Sequence, residues 1–236
     1  LSDETFRDSN GQRQVKQEIF DRIFDLIDKS ERFILIDMFY FNQFKADPES
    51  RPLSKMLVDR LISRKQADPD IDITVISDPI NHVYGSYLDG PLMELEKYGV
   101  KLVITDLNKL HDSNPLWSMV WRPLISPFGT GEGGAIQNPF VEGRISVRSA
   151  LKLLNFKANH RKTIVADNGG NYTAIVSSAN PHDASWAHTN VAVEFSGPAV
   201  LDLLQSESVV LNLSTGEPLN HYVETDQSLA AVPGTM

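Results

Sequence analysis

A regular alternation in the first half of the chain limits what it can fold into. Residues 12 to 29 set Val15, Ile19, Ile23 and Ile27 four apart, with Phe20 and Phe24 beside them, which is the apolar stripe of an amphipathic helix. The pattern then predicts a strand at 32 to 41, a helix near 53 to 66, the strand IDITVIS at 71 to 77, a helix near 88 to 98 and the strand VKLVIT at 100 to 105. Strands so short and so uniformly apolar belong in a sheet covered on both faces. The fold class expected is therefore α/β, with a mixed, mostly parallel β-sheet flanked by helices on both faces.

From Asp106 to about Gly143 the pattern gives way to Pro, Gly, Asn and Ser, which is too long for a plain connection and reads as a functional loop or lid holding Trp117 and Trp121. Strands resume at 160 to 166, 172 to 178 and 190 to 196, followed by a helix from about Pro198 to Ser208. Residues 1–213 read as one domain. Residues 214–236 read as a polar tail or linker.

The composition of the 236 residues, 41% hydrophobic and 22% charged, excludes disordered, collagen-like and repeat-dominated chains. The absence of cysteine removes disulfides, thiol nucleophiles and Cys-type zinc sites. No apolar run reaches the ~18 residues of a membrane span, because RFILIDMFYF (32 to 41) is broken by Asp37. The net charge of −9 makes nucleic acid an unfavourable partner. Within that acidic chain, Arg144, Arg148, Lys152, Lys157, Arg161 and Lys162 form a basic island without an intervening acid. Arg144, Arg148 and Lys152 stand four apart, a single stripe if the segment is helical.

The island ends in NHRKTIVADN, a match to H-x-K-x-x-x-x-D through His160, Lys162 and Asp167. On a strand, residues two apart project together, so His160 and Lys162 would enter one site. The pair suits a phosphodiester: imidazole attacks phosphorus or moves a proton near neutral pH, and the ammonium holds the non-bridging oxygens. Asp167 has the opposite parity and is expected to fix the strand end through hydrogen bonds. SSAN supplies Ser178 and Asn180, neutral donors for phosphate oxygens. Glu194, on an otherwise apolar strand, needs a partner; an imidazole N–H would serve, and Glu194 would then orient the histidine and favour its cationic form.

These residues, in this order, resemble the phospholipase D superfamily over roughly Asn155 to Gly197, most closely its bacterial cardiolipin synthase-like and phosphatidyltransferase-like branch. Ser177 stands where that family usually has Gly, and the connection through Gly169 and Gly170 is longer than usual. The resemblance implies a phospholipase D-like α-β-α sandwich, a phospholipid substrate, and no metal or other cofactor. It implies attack by His160 to give a phosphohistidine, resolved by water or a second alcohol. It also implies association with a membrane surface, that of the bacterial inner membrane. Such chemistry needs a second histidine on the far side of phosphorus. The expected source is a second motif-bearing half of a longer chain, toward which the loose tail would lead, or a homodimer partner. A DNA endonuclease acting as a dimer is the second reading, and a catalytically silent scaffold the third.

Other patterns carry less. Gly129-x-Gly131-x-x-Gly134 lacks the strand and helix of a dinucleotide site, His182, Asp183 and His188 fit no standard metal spacing, and the serines lack a nucleophile elbow. Trp117, Met119 and Trp121 beside Arg122 are read either as a bilayer-interface segment or as anchors of a long loop.

Overall fold

In a computed structural model, residues 1–44, 48–86, 90–129, 134–138, 143–168, 171–217 and 219 are described. Ten strands, β1 (Ser2–Arg7), β2 (Arg13–Lys16), β3 (Phe33–Met38), β4 (Asp72–Ser77), β5 (Lys101–Ile104), β6 (Ile136–Gln137), β7 (Arg144–Ile145), β8 (Lys162–Asn168), β9 (Asn171–Ser177) and β10 (Asn190–Ser196), combine with six α-helices. The helices are α1 (Ile19–Lys29), α2 (Leu53–Ala67), α3 (Pro91–Glu94), α4 (Pro115–Leu124), α5 (Val147–Lys152) and α6 (Ala199–Thr215). Eight strands form one mixed sheet in the order β2-β1-β10-β9-β8-β3-β4-β5, and β6 with β7 makes a separate ribbon.

The α/β class and the mixed sheet agree with the sequence; the expected parallel majority does not. Only β3-β4 and β4-β5 run parallel, while the other five pairings of the large sheet are antiparallel. The reason lies in the connections. Helices carry the chain back between β3, β4 and β5, whereas β8 and β9 are joined too closely for a crossover.

The helix expected over 12 to 29 is two elements. Val15 lies on β2, and α1 starts at Ile19 because the Asp3 carboxylate accepts the Glu18 and Ile19 N–H groups at 2.9 and 3.1 Å. From there the expected stripe holds: Ile19, Phe20, Ile23, Phe24 and Ile27 are all buried. Within the stretch near 88 to 98, the described residues form the single turn α3 and a 3₁₀ turn at Leu95–Tyr98. The segment after Asp106, expected as a functional loop or lid, carries α4, and α6 runs beyond the expected 208 to Thr215, across the boundary placed at 213. Of the tail, residues 220–236 lie outside the described residues, as do Gly131, Gly169 and Gly170.

Alternate residues of the central strands join different clusters. Ile34, Ile36, Ile73, Val75, Ile164 and Ala166 pack with the buried side chains of α1 and α2. Phe33, Leu35, Ile76, Val103 and Val165 pack with Val200, Leu204 and Leu211 of α6. Each fully buried aliphatic or aromatic side chain contributes about 1.5–3 kcal/mol, so these clusters hold the sheet rigid. Register fixes where function can sit. Met38 pairs with Ser77 and with Lys162, Ser77 with Ile104, and Ala192 with Ser177. The C-terminal ends of β3, β4, β5 and β9 therefore share one edge with the starts of β8 and β10, the edge where open α/β sheets bind ligands.

Candidate active site

His160 and Lys162 meet at that edge. Lys162 is the first residue of β8, and its Nζ lies 3.3 and 3.4 Å from the two ring nitrogens of His160 and donates to the His160 carbonyl at 3.1 Å. His160 precedes the strand instead of lying on it, yet the pairing persists because Phe39 N–H donates to the Arg161 carbonyl at 3.0 Å and extends the ladder. The imidazole is exposed while Lys162 is buried at 7% exposure, so the ammonium sits beneath an open ring. Phe39 forms one wall, its ring centroid 4.6 Å from that of His160 and 5.3 Å from Lys162 Nζ.

Both groups are shifted toward neutrality. Burial, and then the charge of Lys162, hold His160 below the usual imidazole value. Burial lowers Lys162 also, with Asp37 opposing. A neutral imidazole beside an ammonium is the state a nucleophile at phosphorus requires.

The residues flanking His160 are tied down on both sides. Asn159 Nδ2 donates to both oxygens of Asp37 at 2.8 and 2.9 Å and to Thr105 Oγ1 at 3.0 Å, and Asn159 N–H donates to Asp78 Oδ2 at 2.8 Å. Arg161 Nη1 donates to Ser206 Oγ at 2.9 Å and to Glu207 Oε1 at 3.0 Å, an oxygen that also accepts from Thr163 Oγ1. Asp37 and Glu207 are both fully buried. Burial, then the charge of Glu207, hold Asp37 well above the usual carboxylate range. Glu207 Oε2 is buried with no hydrogen-bond partner among the described residues. Asp78 is pushed up to about 6 by burial, against two backbone N–H donors.

Sequence reasoning missed this network. Its one signal was Asp37, an acid inside an apolar strand that obliges a partner.

The other expected site residues fall as follows. Asp167 accepts the N–H groups of Glu31, Arg32 and Phe33 at 3.1, 3.0 and 2.8 Å, fixing the start of β3. Asn180 lies at the same edge, its Oδ1 accepting Tyr40 N–H at 3.2 Å. Ser178 does not join it: the exposed hydroxyl donates to Asn190 Oδ1 at 3.1 Å and accepts Val191 N–H at 3.0 Å. Continuing the β8-β9 ladder by one step from Thr163–Val176 sets Ser177, not Ser178, opposite Lys162.

Glu194 is a correction. Its carboxylate is gripped by Arg22, with Nε at 2.8 Å from Oε2 and Nη2 at 2.6 Å from Oε1. The site lies at the start of β10, and at 3.3 Å per residue Glu194 is about 13 Å further along the strand than Asn190. The partner it needs is a guanidinium from α1, and the histidine is held below its usual value instead of being favoured as a cation.

The expected basic stripe is split, since Arg144 belongs to β7 and only Arg148 and Lys152 share α5. Asp183 accepts Ser54 N–H and Oγ–H at 2.9 and 2.8 Å, capping α2. His182 contacts the Phe44 carbonyl at 3.0 Å and Ser185 Oγ at 3.2 Å, so both ring nitrogens have partners. Trp121 is buried and Trp117 Nε1 donates to the Leu151 carbonyl at 3.2 Å; the indoles anchor α4, and it is Leu116, Met119 and Leu124 that face outward.

The chain matches no protein-family model and no curated protein sequence.

Proposed function

We propose that this chain is a phosphodiester-cleaving or phosphatidyl-transferring enzyme of phospholipase D type, acting on phospholipids through a phosphohistidine on His160. One observation carries the reading: an exposed imidazole, held below its usual pKa, within 3.4 Å of a buried ammonium at the edge where open α/β sheets bind ligands. In the proposed reaction the imidazole nitrogen forms a bond to phosphorus as the first alcohol leaves. Lys162 and Asn180 hold the non-bridging oxygens, and Lys162 offsets the charge that grows on them. Water or a second alcohol then breaks the P–N bond. Asp167 acts by fixing the strand, and neither Glu194 nor Ser178 has a part.

Cluster membership on alternate faces of the sheet supports the sandwich form of the fold, with α1 and α2 on one side and α6 on the other. Protonation of the leaving alcohol falls to a second histidine, since His182 is occupied by its own contacts. We assign that histidine to a second motif-bearing half or a homodimer partner. Membrane association is supported by the outward residues of α4, Leu116, Met119 and Leu124, exposed at 79%, 69% and 65%, and by Phe128 just beyond them at 67%. No described helix is long and apolar enough to cross a membrane.

The test is to incubate the protein and its His160→Asn variant with phosphatidylglycerol, phosphatidylcholine and DNA, and to identify the products. Cardiolipin indicates transfer, phosphatidic acid hydrolysis and nicked DNA a nuclease. Unchanged activity in His160→Asn refutes the assignment.

A further inference from the structure

Beside the His160 edge lies a second polar hollow that the proposed chemistry does not use. Two adjoining pockets of about 20 and 150 Å³ share Asn108, Trp121 and Lys152 as lining residues. The larger has room for a small anion. Arg148 lines the larger pocket, one turn of α5 before Lys152.

The charges here do not cancel. Asp112 lines the smaller pocket but is already shared by Arg122 and Lys157, each at 2.7 Å. Asp106 and Asp78 both lie near enough to act on Lys152, though neither pairs with it directly, and Asp106 Oδ1 accepts Asn108 N–H at 3.0 Å. No acid within ion-pair distance of Arg148 or Lys152 is found among the described residues. Lys152 instead lies 5.4 Å above the Tyr84 ring. The independent sign of a ligand is Trp121. Its side chain is 7% exposed, it lines both pockets, and its Nε1 is buried with no partner among the described residues. A buried indole N–H without an acceptor costs about 1–3 kcal/mol, a cost that a bound acceptor removes.

We infer that Trp121, Arg148, Lys152 and Asn108 form a second anion site, built for a phosphate group. Three kinds of donor line the adjoining pockets, an indole N–H, a guanidinium and an ammonium, none of them an acceptor. The site is separate from the chemistry at His160, and its test does not read activity.

The full chain, labelled with ¹⁵N, is titrated with inorganic phosphate at constant ionic strength, with chloride as the control. The Trp121 Nε1–H resonance, identified by its loss in Trp121→Phe, is expected to shift and saturate with phosphate. Affinity should fall at least tenfold in Arg148→Gln/Lys152→Met and persist in Lys162→Met. Co-sedimentation with phosphatidylglycerol and phosphatidylcholine vesicles separates the sources. Binding to the anionic vesicles that the double substitution abolishes assigns a lipid headgroup, whereas a phosphate shift without such a loss assigns a free phosphate. Arg148 is exposed, so Arg148→Gln alone, which leaves the fold intact, repeats the test if the double variant melts early. The inference is overturned if neither phosphate nor anionic vesicles move the Trp121 signal, or if these substitutions leave phosphate affinity unchanged.

Discussion

The Asn159 amide reaches both carboxyl oxygens of Asp37, at 2.8 and 2.9 Å, and so fixes the residue before His160 to the central strand of the sheet. On the other side Arg161 is held by Glu207 of α6 at 3.0 Å. His160 is thereby exposed in its ring and fixed in its backbone. A nucleophile displaced by about 1 Å loses on the order of 10² in rate, which makes these buried groups positioning residues for the reaction proposed.

Asn159→Ala tests that role. It leaves the Asp37 carboxyl without its amide donor, while the backbone N–H to Asp78 stays in place, and is expected to lower stability by about 1–3 kcal/mol. Turnover should drop about 10–100-fold with KM little changed, measured at a temperature where circular dichroism shows the variant folded. An unaltered kcat would leave the bracket with a purely structural part.

Asp78 gives stability a definite pH dependence. Its carboxyl is raised from 3.8 to about 6 by burial, so the folded chain binds more protons than the unfolded one between those values. The contribution is therefore fully present below about 4 and lost as pH rises through about 6, by about 3 kcal/mol. Asp8, Asp25 and Asp112, all held below the usual value by hydrogen bonds, pull the other way, so the difference between wild type and Asp78→Asn is the quantity to follow. Denaturant melts from pH 4 to 7 should show the wild type losing stability relative to the variant. A constant difference would mean that Asp78 is ionised throughout.

How much of this was legible beforehand differs by element. The stripe of α1 and the apolar runs of β3 and β4 were plain, because one buried face leaves a period in the sequence. The parallel bias failed because apolar runs report burial, not strand direction; direction came from connection lengths near β8 and β9. His160 and Lys162 could be paired from spacing alone. Glu194 could not be placed, since parity gives the face of a strand but not the distance along it, and Arg22 is 172 residues away in sequence. Asn159, Asp78 and Glu207 were invisible for the same reason: each is drawn in by a partner from a distant segment.

Burial, and then the Lys162 charge, lower His160, so the acid limb of kcat/KM is expected below the ordinary imidazole value of about 6.5. Lys162→Met should move that limb to higher pH while reducing the maximal rate by about 10²–10³-fold. A pH–rate profile in wild type and variant checks both. A limb that stays in place would show that the ammonium does not act on the ring.

Glu194→Gln separates the observed partner from the expected one. The Arg22 pair is partly exposed, so its loss should cost about 1 kcal/mol and leave turnover within about threefold. A drop of 10²-fold or more at unchanged stability would restore Glu194 to the catalytic group.

Covalent trapping tests the central claim most directly. An aryl phosphodiester such as bis(p-nitrophenyl) phosphate carries a leaving group that departs without a proton, so attack on it does not wait for the second histidine. Rapid quenching at alkaline pH, followed by peptide mass spectrometry, is predicted to find a phosphoryl adduct on His160 with release of one nitrophenolate per site, absent in His160→Asn and much reduced in Lys162→Met. Nitrophenolate release with no adduct on His160, or an equal release from His160→Asn, would contradict the account.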